Sequence, residues 1–568
     1  MNSIVFLILR RMRAPLLLLS FVYAIATFGL TIIPGIDDQG NTWRMDFFHA
    51  FYFVSFMGTT IGFGEIPYPF TDAQRMWTLV FLFITVATWI YTIGTLINLL
   101  QNEALKKALL EYRFSRQVQL LTEPFYLVCG YGDTGSKLVD SLLRRLESAT
   151  VIDIKQDRLD ALTLSDFPLN VPGICADASN PEYMQLAGVN HPMCKGVVAL
   201  TDNNAANLHI AITAKVLNPD LQVVCRADSR DIEANLASFG TDHIIDPFDT
   251  FASLLGMAIH SPHQYLLSRW FHDESRSELA ELISVPRGRW ILCGFGRFGQ
   301  AIYKELIREG LEVQIIEPNA LIPDQPEGTL CGLGTEAVTL NEADIQNVSG
   351  IVAGADDDSN NLSIVVTALE LNPDLFVIAR QNEHSNKDLF QTSRADLVMA
   401  TSDVLVNKIR TLLTNRLVDD FLSLARAHDD LWARSLADQL RQISNHRMPE
   451  IWAVRICVEE AHAVTEKLAA GEIVMLRHLL ADHRDRTYMF AALPLLFSNT
   501  LGAFCMPDLD TPCQPGDRIL FAGTIANESR MKWNLQNDAA LTYVMTGRTD
   551  PQTTIGKWFR ARFSRNTA

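Results

Sequence analysis

The chain has 568 residues, 48% of them apolar and 20% charged, with 48 basic against 65 acidic side chains and a formal net charge of −17. At roughly 150 residues per domain the length suggests about four domains, and the apolar share excludes a disordered chain. The acidic balance, with a pI near 5.2, argues against a nucleic-acid partner, which calls for a basic surface.

A mean hydropathy of +0.10 is high for a soluble chain of this size, and the apolar excess lies at the N-terminus. Residues 14–36 give 23 positions without a charge, and residues 76–102 give 27. Each exceeds the ~20 helical residues that cross a hydrocarbon core. Arg10, Arg11 and Arg13 precede the first segment, as they would in a secretory signal. Its apolar run is too long for a signal, no small-residue cleavage site follows, and a second span comes soon after. Those arginines, and Lys106, Lys107, Arg113 and Arg116 beyond the second span, mark the cytoplasmic side. Both termini are therefore expected inside an inner (plasma) membrane, with residues 37–75 facing out. All nine cysteines follow Val128 without CxxC spacing, which suits a reducing compartment and gives neither a disulfide framework nor a zinc site.

Between the spans, residues 47–64 lack Asp, Glu, Lys and Arg and carry Phe47, Phe48, Phe51, Tyr52, Phe53 and Phe56. A third span here would be short and would move the C-terminus outside. The pattern predicts a re-entrant half-helix and loop, tolerated at membrane depth where protein buries it or it lines a wet pathway. The loop reads Thr59-Thr60-Ile61-Gly62-Phe63-Gly64-Glu65. It resembles the potassium-channel selectivity filter, TVGYG followed by an acid, between two membrane helices. Two glycines let the backbone alternate so that successive carbonyls face one axis, and four such loops replace the hydration shell of K⁺. The resemblance implies that the carbonyls of Thr60, Ile61, Gly62 and Phe63, with the Thr60 hydroxyl, are the ion ligands, and that Gly64 and Glu65 complete the motif. Ile61 keeps the β-branch of the usual Val, Phe63 loses a hydroxyl that braces the filter, and Glu65 replaces Asp. In related channels a glycine within the inner helix is the gating hinge. Residues 78–93 contain none, and Gly94 is either that hinge or a close-packing position.

From Phe125 the pattern becomes strand, Gly130-Tyr131-Gly132-Asp133-Thr134-Gly135, helix, strand, and then Asp153. In that context GxGxxG is a dinucleotide-binding fingerprint: the glycines allow a tight turn and close approach of a pyrophosphate to a helix N-terminus. Asp153 falls where a carboxylate accepts from a ribose hydroxyl, which favours NAD or an adenosine phosphate over NADP. The pattern recurs at Gly294-Phe295-Gly296-Arg297-Phe298-Gly299, with Glu317 in the place of Asp153, at an offset of 164 for both features. Further on the offset falls to 154, where residues 207–221 match 361–375 and Arg226 matches Arg380. Two tandem Rossmann-like domains are predicted.

This repeat resembles the RCK domain, also called KTN or TrkA-N. With the pore, the chain resembles prokaryotic two-transmembrane potassium channels bearing two RCK domains per subunit, of the GsuK type. The resemblance implies that Asp177 contacts adenine, that Thr201 and Asp202 lie beside the phosphates, and that Arg226 pairs with one of them. In the second copy Gly334-Thr335 replaces Ala176-Asp177, Ala355-Asp356 replaces Thr201-Asp202, and Arg380 is retained. Either arginine could instead belong to a surface ion pair, and either domain could keep its glycines for packing alone. The acidic clusters 356–358 and 429–430 make Ca²⁺ a further candidate ligand, or are a solvated turn and a solvated helix face; no metal ligand is assigned. Residues 248–271 read as a crossover helix of the kind that pairs RCK domains, and 401–440 as its longer counterpart. The stretch 514–520 resembles the RCK C-terminal subdomain, and a basic tail carries Lys557, Arg560, Arg562 and Arg565.

The expected fold is a membrane α-helical two-span pore domain with a re-entrant loop, then two α/β Rossmann-like RCK domains and an α+β C-terminal subdomain. Expected boundaries are 1–105 for the pore domain (spans 14–36 and 76–102, pore helix and filter 46–65), 106–123 for a linker, 124–286 and 287–445 for the RCK domains, and 446–568 for the last subdomain and tail. The expected function is K⁺ conduction gated by NAD, ADP or ATP in a homotetramer whose eight RCK domains form a cytoplasmic ring. No enzymatic activity is expected. The alternatives are a non-conducting regulatory subunit of a potassium transporter and a membrane-tethered NAD-dependent oxidoreductase.

Overall fold

A computed structural model describes residues 2–227, 230–272, 279–319, 322 and 325–548. The basic tail from Lys557 lies outside the described residues. The chain divides into two compact units, one formed chiefly by Met1–Thr122 and the other by the chain from Glu123 onward.

In the first unit, the Arg10–Ile32 part of helix Asn2–Ile32 and the helix Asp72–Gln101 are both long and apolar enough to cross a membrane. Their ends differ from the uncharged windows of the sequence for local reasons. The first helix stops at Ile32, four residues before the expected end, because Pro34 lacks an amide donor and opens the short strand Pro34–Ile36, which pairs antiparallel with Thr42–Arg44. The second starts at Asp72, because Thr71 and Gln74 form a capping box and Asp72 complements the helix dipole. The two helices pack closely at Gly29, where a Cβ would lie 2.1 Å from the Trp77 indole, whose nitrogen donates to the Ala26 carbonyl at 3.1 Å. Between them the short helix Phe47–Gly58, capped by Asp46, buries Ala50, Phe53, Val54 and Met57. A Cβ at Gly94 would meet nothing within 4 Å, so packing inside one chain does not account for that glycine.

In the second unit, the first Rossmann sheet has the order Gly173–Cys175, Ser148–Asp153, Phe125–Cys129, Cys194–Ala199, Gln222–Arg226, His243–Ile245. That is a doubly wound sheet with its switch point between the first and fourth strands in sequence. The second sheet, built on Arg289–Cys293, Glu312–Ile316, Gly350–Ala353, Phe376–Gln381 and Leu397–Ala400, has five parallel strands. The missing edge strand survives only as an isolated bridge between Ile316 and Leu330. The second copy also has, among the described residues, no counterpart of the helix Gln156–Leu164, and this shorter connection accounts for most of the fall of the repeat offset from 164 to 154.

The predicted crossover helices are broken. Residues 247–272 form Pro247–His260 and Pro262–His272, and residues 401–443 form Thr401–Thr414, Arg416–Ala425 and Asp430–Ile443. Pro262 prevents the first from being continuous, since it lacks an amide donor. These helices are exchanged. Phe248, Phe251, Ala252 and Leu255, which follow the first sheet, pack into the core of the second domain with Phe298 and Ile302. Leu405, Val406, Ile409 and Leu412, which follow the second sheet, pack into the core of the first with Leu138 and Leu142. Polar contacts fix the exchange: the Tyr126 hydroxyl donates to the Leu413 carbonyl at 2.9 Å, and Lys137 Nζ donates to Ser402 Oγ at 2.9 Å and pairs with Asp403. The remaining helices join the antiparallel sheet of Glu450–Arg455, Arg518–Gly523, Leu493–Asn499 and Gly502–Cys505 in a further shared core. This sheet and its own helices make the α+β C-terminal subdomain.

Ile409 is fully buried in the first domain's core. Ile409→Ala should cost about 2–5 kcal/mol. Hydrogen exchange should accelerate in the Asp133–Arg144 helix, far upstream in sequence. Unchanged protection there would contradict the exchange.

Candidate functional site

The loop after the Phe47–Gly58 helix is held at its base by main-chain bonds from Thr60 to Met57 (3.1 Å) and from Ile61 to Phe56 (3.0 Å). Beyond that base, φ is positive at alternate residues: 61° at Thr60, 67° at Gly62 and 97° at Gly64. Alternation of left-handed and ordinary conformations turns successive carbonyls the same way. A Cβ at Gly62 or Gly64 would meet nothing within 4 Å, so these positions need glycine for conformation and not for space. Thr60 holds the same conformation with a β-branched side chain, a strained state worth of order 1–3 kcal/mol. The Phe63 ring meets Phe56 edge-to-face at 5.5 Å, so an aromatic contact stands where a hydroxyl brace is absent. Glu65 accepts from Arg75 Nε at 2.8 Å, from Arg75 Nη2 at 3.1 Å and from the Phe70 amide at 2.8 Å. The guanidinium holds this carboxyl below the usual carboxylate range.

The two glycine loops of the second unit are built alike. Gly130 has φ 102° and Gly294 φ 95°. A Cβ at Gly135 or at Gly299 would lie 2.0 Å from the carbonyl oxygen of Gly130 or Gly294, so the third glycine of each motif is required by close packing. The second glycine is different. A Cβ at Gly132 would meet only the Arg158 guanidinium, at 3.4–3.5 Å, and one at Gly296 would meet nothing within 4 Å. Protein packing does not require these two glycines, and each is the N-cap of a helix without a side-chain cap. Open main-chain donors beside an absent side chain fit the phosphate of a nucleotide.

The predicted ribose acids are buried and bound to the loops. Asp153 accepts from the Tyr131 amide at 2.6 Å, from the Lys155 amide at 2.7 Å and from Arg158 at 3.1 Å. Glu317 accepts from the Phe295 amide at 2.6 Å and the Asn319 amide at 3.0 Å. Each carboxylate therefore shapes its loop. Thr134 and Phe298 are buried on the helices that the loops begin. Thr201 gives its hydroxyl to Asn207 at 2.7 Å, and Asn207 also donates to the Thr201 and Arg226 carbonyls. Asn361 makes the same links to Ala355 and Arg380, so the crevice keeps its shape where the second copy has lost the threonine. Arg380 pairs with Asp356 at 2.6 Å and lies over the Phe248 and Phe298 rings, while Arg226 stands 4.0 Å from Asp202. Asp177 is exposed, and the amide and hydroxyl of Ser179 lower its pKa. Burial pushes the Tyr131 phenol up to about 12 and raises the Cys129 thiol, so neither ionises near neutrality.

Arg158 is a site residue that the sequence reading missed. It bridges Asp153 and, at 3.7 Å, Asp202 across the mouth of the first crevice. The acidic clusters are caps and anchors. Asp357 and Asp429 cap helices, Asp430 accepts from His263, and Asp358 accepts four hydrogen bonds from Asn382, Glu383 and Asn386. Each acid is engaged separately, and among the described residues no group of three or more His, Cys, Asp or Glu side chains is placed to hold a metal ion. That arrangement does not support the calcium expectation.

Residues 17–102 match the family model described as Ion channel, and residues 126–247 and 290–401 each match the TrkA-N domain. The chain is a membrane protein that joins a two-span ion-channel module to two TrkA-N domains. It is 25% identical over 232 residues to the Probable potassium channel protein 2 of Methanocaldococcus jannaschii, covering 41% of this chain and 62% of that one. It is 24% identical over 203 residues to Potassium channel protein 1 of the same organism, covering 36% and 59%. The matched regions thus span less than two thirds of either relative. A solved structure of the GsuK channel bound to NAD is similar over 94% of this chain and 99% of its own, at 15% identity and a TM-score of 0.48.

Gly135→Ala and Gly299→Ala should each lower Tm and distort the loop, because the new methyl collides with a main-chain oxygen. Gly296→Ala should leave Tm unchanged. Thermal unfolding of the three variants checks the assignment, and equal effects would refute it.

Proposed function

We propose that this chain is the subunit of a potassium-selective channel whose conductance is set by NAD or an adenosine phosphate bound in its two Rossmann domains. The alternating backbone at Thr60, Gly62 and Gly64, between two membrane-length helices, is the observation that carries this reading. Four copies bring four such loops to one axis, where the carbonyls of Thr60, Ile61, Gly62 and Phe63 and the Thr60 hydroxyl replace the water around K⁺. The names of the two archaeal relatives point the same way. Ile61 and Phe63 are exposed in a single chain, at 61% and 65%, which suits loops that meet across an axis.

On this reading the homotetramer carries eight RCK domains in a cytoplasmic ring, both termini lie inside the plasma membrane, and the nucleotide is a regulatory ligand that undergoes no reaction. In the first site the loop 130–135, Asp153, Asp177, Thr201, Asp202, Arg158 and Arg226 face the ligand; in the second, the loop 294–299, Glu317, Asp356 and Arg380. A nucleotide shifts the gate only through a difference in its affinity for the open and shut rings.

The test is flux from liposomes holding the purified protein, with K⁺ or Na⁺ and with NAD⁺, NADH, ADP or ATP added in turn. K⁺-selective flux altered by a nucleotide is the expected result. Gly62→Ala should abolish the flux and leave nucleotide binding intact. Absence of K⁺ flux under every condition would favour a non-conducting regulatory subunit, and oxidation of NADH would favour an oxidoreductase.

A further inference from the structure

The two crevices share a backbone frame but differ in charge. Asp133 of the first loop and Arg297 of the second stand at the same motif position, 164 residues apart. Arg158 stands on the helix Gln156–Leu164, which has no counterpart among the described residues of the second copy; there Ile322, five residues past Glu317, packs against the apolar core. By the register of the edge segment against Asp153 and Glu317, Asp177 of the first copy corresponds to Leu333, and neither it nor Thr335 carries a charge. On the site reading proposed above, the first crevice has four carboxylates (Asp133, Asp153, Asp177, Asp202) against two guanidinium groups (Arg158, Arg226), a net of −2; Asp153, Asp202, Arg158 and Arg226 are linked directly, and Asp133 also accepts from the His384 amide at 3.2 Å. The second gathers Glu317 and Asp356 against Arg297 and Arg380, a net of zero.

The state of the cations sharpens the contrast. Arg158 is held by Asp153, whose side chain is 2% exposed and also anchors the loop, so a phosphate cannot draw this guanidinium away at small cost. Arg380 is held by Asp356, whose side chain is 88% exposed and can turn to water when a phosphate takes its place. Space also differs: the Arg158 guanidinium lies over Gly132, whereas the volume over Gly296 is open.

We propose that the two sites sort nucleotides by charge: the first takes the dinucleotide NAD, and the second takes a nucleoside polyphosphate such as ADP. NAD presents two phosphodiester charges offset by the nicotinamide cation. ADP ends in a phosphate that is close to doubly ionised at neutral pH. Each further negative charge on the ligand is repelled by the acidic first crevice and attracted at the second by Arg380, which the exposed Asp356 can release, and by Arg297, which lies over the same Phe248 ring; salt screens both effects. The proposal rests on the nucleotide-site reading above, which it refines.

The test separates the sites in the full-length protein. Gly132 and Gly296 have φ of −81° and −64° with extended ψ, which other residues adopt. Gly296→Val should fill the second phosphate cradle and leave the first site working, and Gly132→Val the reverse. Calorimetric titration should show the Gly296→Val protein binding NAD⁺ at least tenfold more tightly than ADP. The Gly132→Val protein should bind ADP at least tenfold more tightly than NAD⁺. Adding Arg297→Asp to Gly132→Val should weaken ADP at least tenfold and NAD⁺ less. Raising KCl from about 0.05 to about 0.5 M should narrow the ADP preference. Equal rankings at the two sites, or a reversed order, would overturn the sorting while leaving nucleotide binding in place. Failure of the unmodified protein to bind either ligand would overturn the underlying reading with it.

Discussion

In each Rossmann copy the carbonyl oxygen of the first loop glycine lies against the Cα of the third, an approach that leaves no room for a methyl group. That contact turns the chain from strand into helix within a few residues and aims the first helical amides into the crevice. The buried acid then clamps the same loop from the neighbouring strand, through the Tyr131 amide in one copy and the Phe295 amide in the other. The side chains around this frame have diverged, from Asp133 to Arg297, and Arg158 has no counterpart among the described residues of the second copy. The frame itself is unchanged because its bonds are between main-chain atoms and one carboxylate.

The pore loop follows the same economy by different means. There too the glycines are set by the main chain, but the requirement is alternation of φ and not close approach. The loop is tied at its base to the Phe47–Gly58 helix and at its far end, through Glu65, to Arg75 on the next helix. The second tie is a contact that the sequence could not announce, since an acid and an arginine ten positions apart become partners only when the chain folds back.

Much of this architecture was legible in the residues. Uncharged runs marked the spans, glycine spacing marked the loops, and the repeat offsets marked two domains and the shortening of the second. What escaped was set by partners distant in sequence. The apolar faces of 248–259 and 401–412 announced burial, but period alone does not say which core receives a helix, and here each core receives the other's. The helix ends moved because caps such as Thr71 and Asp46 follow backbone donors and not hydropathy. Arg158 belongs to no motif in the sequence, and only folding sets it between Asp153 and Asp202. Asn207 and Asn361 were visible as a repeat, yet their work, tying the ends of two strands together, exists only once the strands lie side by side.

The exchanged helices also impose an order on synthesis. When the first Rossmann segment leaves the ribosome, the face of its core built from Leu138 and Leu142 has no cover, because Leu405, Ile409 and Leu412 have not yet been made. At 5–20 residues per second the wait is roughly ten to thirty seconds. During that interval an identical surface on a neighbouring nascent chain presents the same apolar stripe. Neighbouring chains translated from one message therefore run the risk of trading these helices, and the polar latch of Lys137 with Ser402 and Asp403 closes within a chain only after the second domain has emerged.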